Sequence, residues 1–115
     1  MKKILIKSHA KINRSMEMLL RAHDQKRNDP YIIDSVGWAY YLTKDYISAE
    51  KYLKNALLIM PEDPIVNDHY GDVLWRLNMK LQATYYWKAA LSSDEAEDKL
   101  KESINKKLLF GLKKS

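Results

Sequence analysis

With 115 residues, 46% of them apolar and 30% charged, the chain has the makeup of one small globular domain and lies outside the low-hydrophobicity regime of disordered chains. The absence of cysteine excludes disulfide frameworks, thiolate metal sites and cysteine nucleophiles together, and suits a cytosolic protein. The net charge of +5 is confined to residues 1–29, which carry eight basic and three acidic side chains, while the remaining 86 residues carry twelve of each.

The opening segment begins with Lys2 and Lys3, but its apolar run is only Ile4-Leu5-Ile6 before Lys7. A signal peptide needs an apolar core of about 7 to 15 residues. Nothing later approaches the ~18 uninterrupted apolar residues of a membrane span, so a soluble, unexported, cytoplasmic product is expected. Residues 12–25 place Ile12, Met16, Leu19 and Leu20 on one side of a helix. Any helix before it would be no more than a stub in residues 2–9.

Residues 29–58 and 63–92 match at nine of thirty positions, at a constant displacement of 34, where chance pairing would give roughly two. The identities are Asp29/Asp63, Pro30/Pro64, Asp34/Asp68, Gly37/Gly71, Ala49/Ala83, Tyr52/Tyr86, Lys54/Lys88, Ala56/Ala90 and Leu57/Leu91. Asp29 and Asp63 can accept from the free amides of a helix start, and Pro30 and Pro64 suit the first helical position, which has no amide partner to lose. The spacing of Ile33, Val36 and Tyr40 predicts a helix from Pro30 to about Leu42 or Thr43. A second runs from about Tyr46 to Ile59, carries Ala49, Tyr52, Leu53, Ala56 and Leu57 at intervals of three and four, and is stopped by Pro61. Gly37, Ala49 and Ala56, like Gly71, Ala83 and Ala90, are small enough to let paired helices approach closely.

On these residues the chain resembles the tetratricopeptide repeat (TPR) family. Pro30 to Asp63 places Val36, Gly37, Tyr40, Ala49, Leu53, Ala56 and Pro61 where that helix-turn-helix unit has its signature. Residues 64–97 supply Tyr70, Gly71, Leu74, Ala83, Trp87 and Ala90 at the equivalent places, and Glu95 replaces the final proline. The stretches "DPYIIDSVGWAYY", "NDHYGDVLWRL" and "YYWKAAL" look like the carboxy-terminal repeats of long bacterial TPR proteins. The resemblance implies an all-α, right-handed solenoid of five or six helices. Its divisions would be a basic degenerate half repeat at 1–29, repeats at 30–63 and 64–93, and a capping helix at 94–112. In the half repeat Ser15, Leu19 and Ala22 fall under Ala49, Leu53 and Ala56. Ile4, Leu5 and Ile12 would form an uncovered apolar edge open to self-association.

After the second unit, Ser92 or Ser93 can cap a helix amino terminus, with Glu95 following Ser92 by three residues. Ala96, Leu100, Ile104, Leu108 and Leu112 recur every four positions and would cover the last repeat. Lys99, Lys101, Glu102 and Lys106 point elsewhere, and Gly111 can end the helix.

The resemblance further implies a concave groove lined by Tyr31, Asp34, Trp38, Tyr41 and Leu42 from the first unit, and by Ile65, Asp68, Asp72, Trp75 and Arg76 from the second. Its aromatic and acidic character implies a protein partner: a basic or aromatic peptide, or a helix. The alternative is that Trp38, Tyr41 and Trp75 pack against neighbouring helices. The chain would then be a scaffold or adaptor, or else a structural end of a longer array. Lys2, Lys3, Lys7, Lys11, Arg14, Arg21, Lys26 and Arg27 offer a weaker route to nucleic acid, without an accompanying motif. His9, His23 and His69 form no metal-binding pair, and neither a phosphate loop nor a serine elbow is present. Asp68, His69 and Asp72 are a weak catalytic signal that the repeat already explains in part. Neither enzymatic activity nor a metal or cofactor is expected.

Overall fold

The computed structural model describes the backbone of residues 2–113 and the side chains of residues 14–113. Among the described residues the chain is all-helical: α1 (Lys2–Gln25), α2 (Pro30–Leu42), α3 (Tyr46–Ile59), α4 (Pro64–Arg76), α5 (Lys80–Leu91) and α6 (Asp98–Phe110). Consecutive helices pack against each other, closest within the hairpins α2–α3 and α4–α5. This is the short helical solenoid expected from the sequence.

The helix starts follow from local chemistry. The Asp29 carboxylate accepts from the amides of Tyr31 (3.0 Å) and Ile32 (3.3 Å), and Asp63 does the same for Ile65 (2.9 Å) and Val66 (3.0 Å). The Asn67 side-chain amide donates to the carbonyls of Pro61 and Asp63 and ties the preceding loop to α4. Both hairpins turn in the same way. Lys44 and Asn78 take left-handed φ values of 66° and 64°, and the amide after each donates back to a helix carbonyl, Asp45 to Tyr40 and Met79 to Leu74.

The shared small residues sit where the hairpins close. Ala49, Ala56, Ala83 and Ala90 are fully buried. A Cβ added at Gly37 would lie 2.7 Å from Leu53 Cγ, and one at Gly71 would overlap the Trp87 indole. Each hairpin therefore depends on a hydrogen atom where other residues have a methyl group. Leu53, Val73, Leu74 and Ala83 join the two hairpins in one core, and Trp87, Ala90 and Ile104 continue it beneath α6.

Two expectations are corrected. A stub over residues 2–9 and a separate helix over 12–25 are instead one continuous helix, since neither proline nor glycine interrupts residues 2–25. The apolar edge at Ile4, Leu5 and Ile12 lies outside the residues whose side chains are described. At the other end, the capping helix starts at Asp98 rather than near residue 94. The Ser93 hydroxyl accepts from the Glu95 amide, and the Ser93 carbonyl accepts from the Ala96 amide, so Ser93 caps a turn and not the helix. Gly111 does end α6, with φ 69°, and its hydrogen faces the Trp75 ring, where a Cβ would collide.

Candidate protein-interaction surface

Helices α2, α4 and α6 begin at residues 30, 64 and 98, and each is 13 residues long. The 34-residue period thus continues in the backbone one helix beyond the point where residue identities stop. Helix α4 lies between the other two. His69 on α4 reaches Asp34 on α2, and Lys107 on α6 reaches Asp68 and Asp72 on α4.

These contacts decide which expected groove residues face solvent. In the α2–α4 seam, His69 Nδ1 lies 2.9 Å from Asp34 Oδ1, and the His69 ring stacks on Trp38 at 4.0 Å. Trp38 also stacks on Tyr41 at 4.4 Å, and Tyr41 accepts a hydrogen bond from Arg76 Nε at 3.2 Å. Asp34, Trp38, Tyr41 and Arg76 are all half-buried in this array. Burial raises the Tyr41 phenol pKa above its ordinary 10.0, with the Arg76 hydrogen bond opposing.

The α4–α6 seam is closed more tightly. Asp68 and Asp72, expected to be exposed, are both buried. Lys107 Nζ donates to Asp68 Oδ1 at 2.8 Å and to the two Asp72 oxygens at 2.9 and 3.1 Å. Trp87 Nε1 donates to Asp72 Oδ1 at 3.0 Å. Burying carboxylates is tolerable only with such partners. Burial, followed by the neighbouring Asp68 charge, raises the Asp72 pKa above its ordinary 3.8 despite Lys107. For Lys107, burial acts to lower the pKa, but Asp72 and Asp68 outweigh it and leave the ammonium above its ordinary 10.5. Trp75 is half-buried, stacked on Trp87 at 5.3 Å and covered in part by the Lys80 ammonium.

Three expected groove residues stay exposed: Tyr31 (67%), Ile65 (52%) and Leu42 (58%). Tyr31 and Ile65 hold the same register on the first turns of α2 and α4, while Leu42, Arg76 and Phe110 hold one register at the last turns of α2, α4 and α6. Two rows of this kind, eleven residues apart along each helix, lie about 16 Å from one another. Between them the floor is sealed by the Asp34–His69 contact and the Asp68–Lys107–Asp72 cluster.

The roles of Lys107 and Trp87 as hydrogen-bond partners of Asp68 and Asp72 escaped the sequence reading. Adding 34 to Asp63 and Pro64 gives Glu97 and Asp98, the true start of α6, and that register would have exposed the third copy.

The chain resembles tetratricopeptide-repeat proteins. It is similar to a TPR repeat-containing protein of Pseudomonas aeruginosa, with 38% identity over 56 residues; the match covers 49% of this chain and 9% of that protein. No protein-family model matches the chain. Among the described residues, no helix is long and apolar enough to cross a membrane. The TPR likeness accounts for the hairpins and their register, whereas the Lys107 cluster comes from the helix that follows them.

Proposed function

We propose that this chain is a non-enzymatic protein-interaction module, a scaffold or adaptor, that holds a peptide or helix of a partner protein along the face presented by α2, α4 and α6. The observation that carries this reading is the pair Tyr31 and Ile65, two large apolar side chains more than half exposed at one register of neighbouring helices. A rigid helix face bearing aromatic and aliphatic anchors gives contact area at little entropic cost. The likeness to a TPR repeat-containing protein supports the same reading.

The sealed floor refines the mode of binding. A partner would rest on the two exposed rows and contact the edges of Trp38 and Tyr41, rather than insert between Asp68 and Asp72. Its apolar residues would meet Tyr31 and Ile65 at one row, and Leu42 at the other. The test is photo-crosslinking from a benzoylphenylalanine placed at Tyr31, Ile65 or the exposed α3 position Lys54, in lysate of the source cells. A shared protein adduct from positions 31 and 65 that is missing from position 54 is expected. Adducts of equal yield from all three positions, or none from 31 and 65, would refute the reading.

A further inference from the structure

The register of α6 extends the face of α2 and α4 onto residues that the repeat comparison did not reach. Lys99, Glu102, Lys106, Leu109 and Phe110 occupy the positions that Tyr31, Asp34, Trp38, Tyr41 and Leu42 hold on α2. A cleft of about 630 Å³ runs along this side of α6, lined by Lys99, Glu102, Ser103, Lys106, Phe110 and the 111–113 segment. Phe110 is 82% exposed and Leu109 76%, so the last turn presents two large apolar side chains to solvent. Isolated exposed apolar residues are ordinary, but Phe110 lines an open groove with ammonium groups along it and Leu109 stands beside Phe110 in sequence.

The local charge is positive. Lys107 is committed to Asp68 and Asp72, which leaves Lys99, Lys106 and Lys113 exposed against the single Glu102. The two aspartates that would repel an acidic ligand are buried and share the Lys107 ammonium. At this end of the face, the acidic character read from the sequence is therefore gone.

Resting on the interaction reading above, we infer that the α6 end of the face docks an acidic segment of a partner protein, with its carboxylates on Lys99 and Lys106 and an apolar side chain on Phe110. Lys99 and Lys106 are two helical turns, or about 10 Å, apart, a span that acidic residues on one face of a short helix can match. A basic segment would meet three ammonium groups. A second copy of this chain is disfavoured as occupant for the same reason, because residues 1–29 carry the whole net charge of +5. A flat anionic membrane also fits less well than a peptide, since Glu102, Ser103 and Asn105 interrupt the exposed face and its apolar residues are confined to one end.

The probe is a random-peptide display library selected on the immobilised full chain. The selected peptides are then measured by fluorescence anisotropy on the wild type, Lys99→Glu/Lys106→Glu, Phe110→Ser and the α3 control Lys54→Glu. All these positions are exposed, and circular dichroism checks that each variant keeps its helices. Acidic peptides with Leu or an aromatic residue should dominate. They should bind the Lys99/Lys106 and Phe110 variants at least about tenfold more weakly than the wild type, leave the Lys54 control unchanged, and weaken in high salt. Enrichment of basic peptides, no enrichment, or equal affinity for all variants would overturn the proposal. So would sedimentation with phosphatidylserine vesicles that depends on Lys106 and Phe110 without peptide selection, or a dimer in light scattering that Phe110→Ser dissolves. Crosslinks from Tyr31 and Ile65 alongside a failed selection would remove only the acidic-partner assignment; failure of both experiments would remove the interaction reading as well.

Discussion

The hairpins α2–α3 and α4–α5 share a register, a turn and three small residues, yet they solve the same packing problem with different side chains. Gly37 faces Leu53, while Gly71 faces Trp87. Asp34 meets a histidine from the next helix, while Asp68, at the same register, meets a lysine. Helix α4 is consequently the more deeply buried of the two first helices: Pro64, Val66, Asn67, Asp68 and the whole run Tyr70–Leu74 are buried, against Ile33, Val36, Gly37 and Ala39 in α2. A repeat thus fixes backbone spacing, whereas the helix that follows decides which side chains of that repeat are left for a partner.

The sharpest way to break the comparison is at the two glycines. In Gly71→Ala the new methyl meets the buried Trp87 ring and, at 3.1 Å, the Ala83 carbonyl, and moving the ring would strain its hydrogen bond to Asp72. In Gly37→Ala the methyl meets the branch of an aliphatic side chain, and the better helix propensity of alanine offsets part of the clash. Gly71→Ala is expected to cost about 3 kcal/mol and Gly37→Ala about 1 kcal/mol, read from urea unfolding. Equal losses would mean that Leu53 and Trp87 constrain their hairpins alike.

The next largest effect belongs to the seam with α6. Lys107→Met leaves Asp68 and Asp72 side by side without a cation, and for this partly exposed lysine the loss is expected to be about 2 kcal/mol. His69→Phe in the corresponding α2–α4 seam keeps the stacking on Trp38 and should cost less than 1 kcal/mol. Asp68→Asn with Asp72→Asn in the Lys107→Met background should recover part of the loss in thermal melts. No recovery would mean that the loss does not come from the two carboxylates left without a cation.

How far this could be read beforehand depended on where the deciding group lay. The bounds of α2 and α3, the aspartate caps and the roles of Gly37 and Gly71 were legible because every determinant is local or recurs after 34 residues. Burial of Asp68 and Asp72 was not, because it depends on Lys107, 39 and 35 residues later, within a helix whose residues no longer match the repeat. The apolar stripe of α6 was visible in Ile104 and Leu108, which with Leu112 just past the helix end belong to or pack against the Trp87 cluster. Its starting residue was obscured by Ser93, a good cap spent on a turn.

The same seam makes stability depend on pH in a definite direction. Both Asp72 and Lys107 hold their protons more tightly in the fold than at their ordinary values. For Asp72 the contribution is present below pH 3.8 and is lost as pH rises through its elevated folded value. For Lys107 it is present below pH 10.5 and is lost as pH climbs through the folded value above that. Urea midpoints of the wild type and Lys107→Met should therefore converge above pH 10.5, a comparison that cancels titration of the tyrosines common to both. A constant difference across that range would show that the Lys107 charge does not hold α6 in place.

The smallest expected difference lies at the starts of the second helices. Asp45 caps α3 by accepting from the Ser48 amide at 3.2 Å, whereas Met79, at the same register, offers α5 no side-chain acceptor. Met79→Asp should therefore stabilise the chain by about 0.5–1 kcal/mol, and Asp45→Ala should destabilise it by a similar amount. Met79 is already 41% exposed, so removing its thioether sacrifices little burial. A neutral or negative result in urea unfolding for Met79→Asp alone would mean that its exposed apolar side chain contributes as much as a cap would. The second hairpin would then owe its stability to the packing of Trp87 and α6, with the start of α5 contributing nothing that a cap could improve.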